Sequence, residues 1–240
     1  MKVSVIIPVW NGSAYVGEAI RSVLEQTAPP HEILVVDDGS TDATAEIVRS
    51  FPTVTLIRQE NAGVGPARNT GIRLSSGDLL AFLDHDDLWL PEKLALQIRR
   101  FDEEPSVDAV VGRIQNFISP DIAAEEQARI DCPAEPIAGY SASGLLVQRR
   151  AFLRVGEWTS SEREGVEWFV FAREAGLRFG EIPQTIARRR LHLSNRTRTG
   201  AAKNQDFARI LAESLARRRA RKSAEEPANA SARNPSQPTG

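Results

Sequence analysis

Through residue 83 the chain alternates short β-branched runs with helix-period segments, and few folds accept that order. VSVII (3–7), EILVV (32–36), TVTLI (53–57) and LLAFL (79–83) read as strands. Between the first two, residues 14–26 carry Tyr15, Ala19, Ile20, Val23 and Leu24 at helical spacing. Residues 41–48 form a second helix, with Thr41 as its cap and Asp42 in its first turn. Residues 66–74 form a third, opened by Pro66. The alternation predicts an α/β fold of Rossmann-like type, with a mostly parallel central sheet and helices on both faces.

The second half is less regular. A helix is expected over 93–101, a strand over 107–117, a second strand over 144–147 and a short helix over 150–155 that stops at Gly156. Residues 118–139 hold three prolines and many charges and read as loop. Residues 164–175 form an amphipathic helix with Trp168, Phe171, Ala172 and Ala175 on one side, stopped by Gly176. Residues 203–221 place Phe207, Ile210, Leu211 and Leu215 at helical spacing, and from Ser223 the Ala, Ser, Pro, Asn and Glu composition reads as disorder. The expected organisation is a catalytic-size domain over 1–200, a basic amphipathic helix over 201–222 and a disordered tail over 223–240.

Composition narrows the class. At 41% hydrophobic residues the 240-residue chain can bury a real core. A single cysteine, Cys132, excludes a disulfide framework and thiolate zinc clusters, which fits a reducing, cytoplasmic setting. The apolar run after Lys2 is too short for a signal peptide, and no run reaches the length of a membrane span. Between residues 187 and 222 stand twelve Lys and Arg against Asp206 and Glu213, on an otherwise net-acidic chain. That asymmetry suits either a peripheral visit to an anionic membrane or a solvated C-terminal helix packed on the core.

In an open α/β sheet, ligands bind beyond the carboxyl ends of the strands. Pro8, Trp10 and Asn11 follow the first strand, and Asp37, Asp38, Gly39 and Ser40 follow the second. Asn61, Gly63, Gly65 and Arg68 follow the third, and Asp84, His85, Asp86 and Asp87 the fourth. Each group alone has an ordinary reading: a core tryptophan, a helix-capping turn, a solvated acidic turn. Gathered at one edge they point to a ligand. Carboxylates this close repel one another unless a cation joins them, which favours a hard divalent ion such as magnesium or manganese. Trp10 offers a face for a nucleobase, and Asp38 an acceptor for a base imide or a ribose hydroxyl.

The stretches VSVIIPVWN, ILVVDDGSTD (33–42), ENAGVGPARNTGI (60–72), SGDLLAFLDHDD (76–87) and LWLPEKL (88–94) resemble those of the family two glycosyltransferases, which have the GT-A fold. The resemblance implies inverting transfer of a sugar from a nucleotide-diphosphate donor, usually a uridine diphosphate sugar. The acceptor would be a saccharide, a lipid-linked molecule or another hydroxyl, as in polysaccharide or glycoconjugate synthesis; no nucleic-acid partner is implied. By position, Pro8, Trp10, Asp38, Arg68 and Asp84 then serve the nucleotide, with Asp38 recognising the base and Arg68 supporting the base loop or a turn carboxylate, or else forming an internal ion pair. Asp84 and Asp86 form the DxD pair, with Asp86 the better metal ligand for Mn or Mg. His85 stands where a small residue is usual. In RRRLHLSNRT (188–197), Arg190 would meet the diphosphate and His192 either the metal or the diphosphate.

Inversion by direct displacement needs a base near the acceptor hydroxyl. The family places an Asp there, in a Glu-Asp pair opening a helix. Here GEWTSSEREGVEWFVFAREAG (156–176) puts Glu167 at that position, after Val166, with Glu164 as the alternative. A first-turn acid that only favours the helix is the plain reading of Glu167. Two rival functions remain: a nucleotide-sugar binder without catalysis, and a nucleotidyltransferase. The latter wants a basic Gly-rich loop after the first strand, where this chain reads PVWNGSAYV.

Overall fold

The computed structural model describes residues 1–161, 164–192 and Ser214. The chain divides into two compact units, residues 1–199 and 200–240. The expected basic helix over 201–222 and the tail over 223–240 lie outside the described residues, Ser214 apart.

The described residues of the first unit form nine strands and seven helices in the order β1 (Val3–Val9), α1 (Val16–Leu24), β2 (Glu32–Asp37), α2 (Thr44–Arg49), β3 (Thr55–Arg58), α3 (Val64–Leu74), β4 (Leu79–Phe82), β5 (Leu88–Trp89), α4 (Lys93–Glu103), β6 (Ala109–Ile118), α5 (Ala124–Gln127), β7 (Ile137–Ala138), β8 (Leu145–Gln148), α6 (Arg149–Val155), α7 (Glu164–Glu174) and β9 (Phe179–Leu191). They form one sheet in the order β3-β2-β1-β4-β8-β6-β9-β5, with β7 beside β6. The first four strands in that order are parallel. β8 runs antiparallel to both β4 and β6, which returns β6 and β9 to the direction of β4. The sheet is therefore mixed, and the expected parallel character belongs to its first half.

Helices cover both faces. Val3, Val5, Ile7 and Val9 of β1 pack with Ala19, Ile20 and Val23 of α1 and with Leu94 and Phe101 of α4. Ile6 joins Leu80, Phe82, Ile72 of α3, Phe152 of α6 and Trp168 of α7 on the other face. The alternation along β1 is the period of two that a strand buried on both faces imposes.

Two expectations need correction, and one strand carries no sequence signal. Thr41 does not cap α2: the Asp42 carboxylate accepts the Thr44 N–H at 3.0 Å, doing what Thr41 was expected to do. Residues 118–139 contain the short α5 and β7. No hydrophobic pattern marks β9, yet it runs for 13 residues from Phe179 to Leu191. Pro183 and three successive arginines break the strand pattern, and the structure accommodates the proline at an irregularity in the β6–β9 register.

Candidate active site

β1, β2, β4 and β9 end at one edge of the sheet, so the residues after them gather there whatever their distance in sequence. Asn11, just past β1, adopts a left-handed conformation (φ 49°), which its short polar side chain tolerates. Its Oδ1 accepts the Thr41 N–H at 2.9 Å, tying the β1 turn to the β2 turn. Trp10 next to it is 55% exposed, whereas Pro8 is buried within β1. An indole left this open at a strand end is available as a stacking face rather than as core.

Asp38 is buried and holds the loop that opens α3. Its Oδ1 accepts from Gln59 Nε2 at 2.7 Å and from the Ala62 N–H at 3.0 Å, and its Oδ2 from the Gly63 N–H at 2.8 Å. A carboxylate has about four acceptor positions, and these donors use three of them. Gly63 has φ 97°, a conformation that favours glycine and points its N–H at Asp38.

Arg68 reaches Asp84 from the buried face of α3, with Nη2 2.6 Å from Oδ1. Its guanidinium carbon lies 5.0 Å from the centroid of the Trp158 ring. Asp86 Oδ2 stands 2.9 Å from His192 Nε2. Burial pushes the Asp86 carboxyl up, but the hydrogen bond to His192 and the charges of His85 and His192 outweigh it, so Asp86 ionises more readily than usual. Asp87 is different. Burial first, and then the neighbouring Asp86 and Asp84, push its carboxyl well above the usual range. It accepts from Ser143 Oγ at 2.7 Å and from the Arg190 N–H at 3.1 Å, so Asp87 braces the turn from inside. His85 packs against Gly12, where a Cβ would overlap the imidazole.

Arg190 departs from expectation. Its Nε donates to the Asp86 carbonyl at 3.0 Å, Nη1 to Ser119 Oγ at 3.1 Å and Nη2 to Glu18 Oε2 at 2.6 Å. The guanidinium also lies 4.6 Å from the Tyr15 ring centroid. Every guanidinium nitrogen has a partner inside the protein, so Arg190 is built into the acidic turn instead of standing open for a diphosphate.

Glu167 departs as well. It is fully buried, and the Thr159 hydroxyl donates to its Oε2. A base must come within hydrogen-bond reach of the acceptor hydroxyl, and a sealed carboxylate does not meet that need in this conformation. Glu164 stands at the first position of α7; its side chain lies outside the described residues. Sequence reading passed over Glu18, Ser119, Ser143, Asn69 and Thr159. Asn69 was within its reach, because it stands in the quoted ARN run beside Arg68.

A family model described as glycosyl transferase family 2 matches residues 4–154. An uncharacterized glycosyltransferase of Rickettsia typhi is 30% identical over 221 residues, covering 85% of this chain and 69% of its own length. The putative teichuronic acid biosynthesis glycosyltransferase TuaG of Bacillus subtilis is 38% identical over 101 residues, which is 40% of each chain. The crystal structure of S. aureus TarS 1-349 in complex with UDP-GlcNAc superposes with a TM-score of 0.67 at 21% identity, covering 88% of this chain and 64% of that one. That likeness is one of fold, the GT-A fold. The chain belongs to glycosyl transferase family 2.

Proposed function

We propose that the chain transfers a sugar from a nucleoside diphosphate donor to an acceptor hydroxyl, with inversion and with the help of Mg²⁺ or Mn²⁺. The observation that carries this reading is the Asp86–His192 pair, 2.9 Å apart, beside the Arg68–Asp84 pair. Two ligands at right angles on a cation with bonds near 2.1 Å lie roughly 3 Å apart, so the pair fits one such ion. Among the described residues no group of three His, Cys, Asp or Glu side chains is placed to hold a metal. A two-residue site suits a magnesium-like ion that keeps waters and takes its other ligands from substrate phosphates. When bound, the ion supplies positive charge to the departing diphosphate.

The chain's own residues do the rest. Trp10 stacks the base, Asp38 accepts from it, and Arg68 fixes the Asp84 carboxylate toward the ribose. Uridine is the first candidate, supported by TarS, whose solved complexes include UDP and UDP-GlcNAc. The acceptor oxygen forms its bond to the anomeric carbon as the bond to the diphosphate oxygen breaks, and the electron pair leaves with the diphosphate. The hydroxyl proton passes to a carboxylate on the first turn of α7. We give that task to Glu164, because Glu167 is buried, and give Glu167 a holding role.

Calorimetric titration with UDP, with and without Mn²⁺, tests the donor site. Binding that needs Mn²⁺ and weakens at least about tenfold in Asp86→Ala is expected. Absence of binding to the wild type, or equal binding by the variant, would remove the reading. Glu164→Gln should abolish turnover at unchanged melting temperature, while Glu167→Gln should lower the melting temperature. The sealed Glu167 also favours a second reading, a nucleotide-sugar binder without turnover. Binding of UDP with no release of UDP from any donor sugar would select it. We further propose that residues 203–222 touch anionic membranes, carrying the protein to lipid-linked acceptors; failure to co-sediment with anionic vesicles at low salt counts against this.

A further inference from the structure

We infer that Asn69 is a positioning residue that locks the first turn of the base-bearing helix to the donor carboxylates. The inference rests on the transferase reading above. Asn69 is buried, and its side-chain amide makes a reciprocal pair with the Trp158 backbone. Nδ2 donates to the Trp158 carbonyl at 2.8 Å, and Oδ1 accepts the Trp158 N–H at 3.0 Å. A primary amide paired this way holds a peptide as a neighbouring strand would, and leaves it little freedom to slide.

Two further contacts bind the same segments. The preceding residue, Arg68, touches Asp84 with one end of its guanidinium and the Trp158 ring with its face. One turn earlier in α3, a Cβ at Gly65 would overlap the Thr159 carbonyl oxygen, so the two backbones lie against each other. Thr159 in turn donates its hydroxyl to Glu167 on α7. A continuous path therefore runs from Asp84 through Arg68 and Asn69 to Trp158, Thr159 and Glu167. Sequence separates its ends widely, since Asn69 and Trp158 are 89 positions apart.

The path joins the two halves of a displacement reaction. One end fixes the turn where the diphosphate leaves, and the other fixes the helix that receives the acceptor proton. Loss of Asn69 leaves both ends folded but lets their separation drift. Turnover depends on that separation and donor binding does not, so the two should part company in a variant.

The test uses the full chain and UDP-GlcNAc as donor, with UDP release as the rate and calorimetry of UDP with Mn²⁺ as the binding measure. Asn69→Ala and Thr159→Val should each lower the saturated rate about tenfold to a hundredfold, with UDP affinity changed less than about threefold. The double variant should be no slower than the worse single one, since both cut one path. A rate unchanged in both variants, losses that multiply in the double variant, or UDP affinity falling in step with the rate would each overturn the coupling. If Asn69→Ala fails to fold, Thr159→Val alone decides by its rate against its affinity. A wild type that neither binds UDP nor releases it sinks the donor reading and the coupling together. A wild type that binds UDP but releases none leaves the donor site standing and overturns the coupling.

Discussion

Gly65 shows how little room the site leaves. A methyl group there would strike the Thr159 carbonyl, a backbone atom with no side-chain freedom to yield. Gly65→Ala is expected to cost stability and turnover together, seen as a lowered melting temperature and lost UDP release, whereas Gly63→Ala meets no neighbour and is strained only by its φ of 97°. Asp87 is the second such residue. Asp87→Ala would strand the Ser143 hydroxyl and the Arg190 N–H in a buried place, at a cost of about 2–4 kcal/mol measured by denaturant titration. The acids themselves were legible, because each follows a strand whose end must face the ligand edge. Their partners were not. Ser143 lies 56 positions from Asp87, and Glu18 lies 172 from Arg190, so no local pattern connects them. For the same reason Arg190 and Glu167 look like reactive groups in sequence, whereas in the fold Arg190 is bonded at each guanidinium nitrogen and Glu167 is buried against Thr159.

Among the elements, α2 depends on a single carboxylate. Asp42 accepts from the Thr44 N–H and hydroxyl and from the Ser13 N–H, which also fastens α2 to the β1 turn. Burial alone would raise its pKa, but these donors pull it from 3.8 to about 2. A depressed folded pKa stabilises the fold above the unfolded value and loses that contribution as pH falls from near 4 through about 2. Asp42 is exposed to solvent, so the whole contribution is held to about 1 kcal/mol. Asp42→Ala should lower the melting temperature by roughly 2–4 °C at pH 7 and by much less at pH 2. The parallel strands and their helices could be read from apolar period alone. β5 could not, since two residues carry no period, and β9 could not, since its proline and arginines mimic a loop.

The molecule as a whole joins two kinds of sheet. The parallel half, β3-β2-β1-β4, supplies the edge that carries Trp10, Asp38 and Asp84, and the antiparallel return through β8 brings β6 and β9 back to the same edge. A donor held there, as proposed, would touch elements from both ends of the first unit. Saturating UDP with Mn²⁺, at about a hundred times the dissociation constant, should therefore stabilise the fold by about 2.7 kcal/mol. The melting temperature should rise by roughly 5–10 °C, and Mn²⁺ alone should give little of this. Thermal unfolding with and without the nucleotide checks it.

The irregular register between β6 and β9 acts as a spacer with an address. From Val111 to Ile118, β6 advances seven residues, while β9 advances ten from Glu181 to Leu191. The extra residues near Pro183 set which side chains stand at the far end of the strand. Arg190 and His192 are two apart and so share one side, with Leu191 between them. Removing one residue from the spacer would turn that end over and draw His192 back into the place of Leu191, on the side away from Asp86. A length change far from the acidic turn would thus erase its nitrogen partner without altering a single residue of the turn.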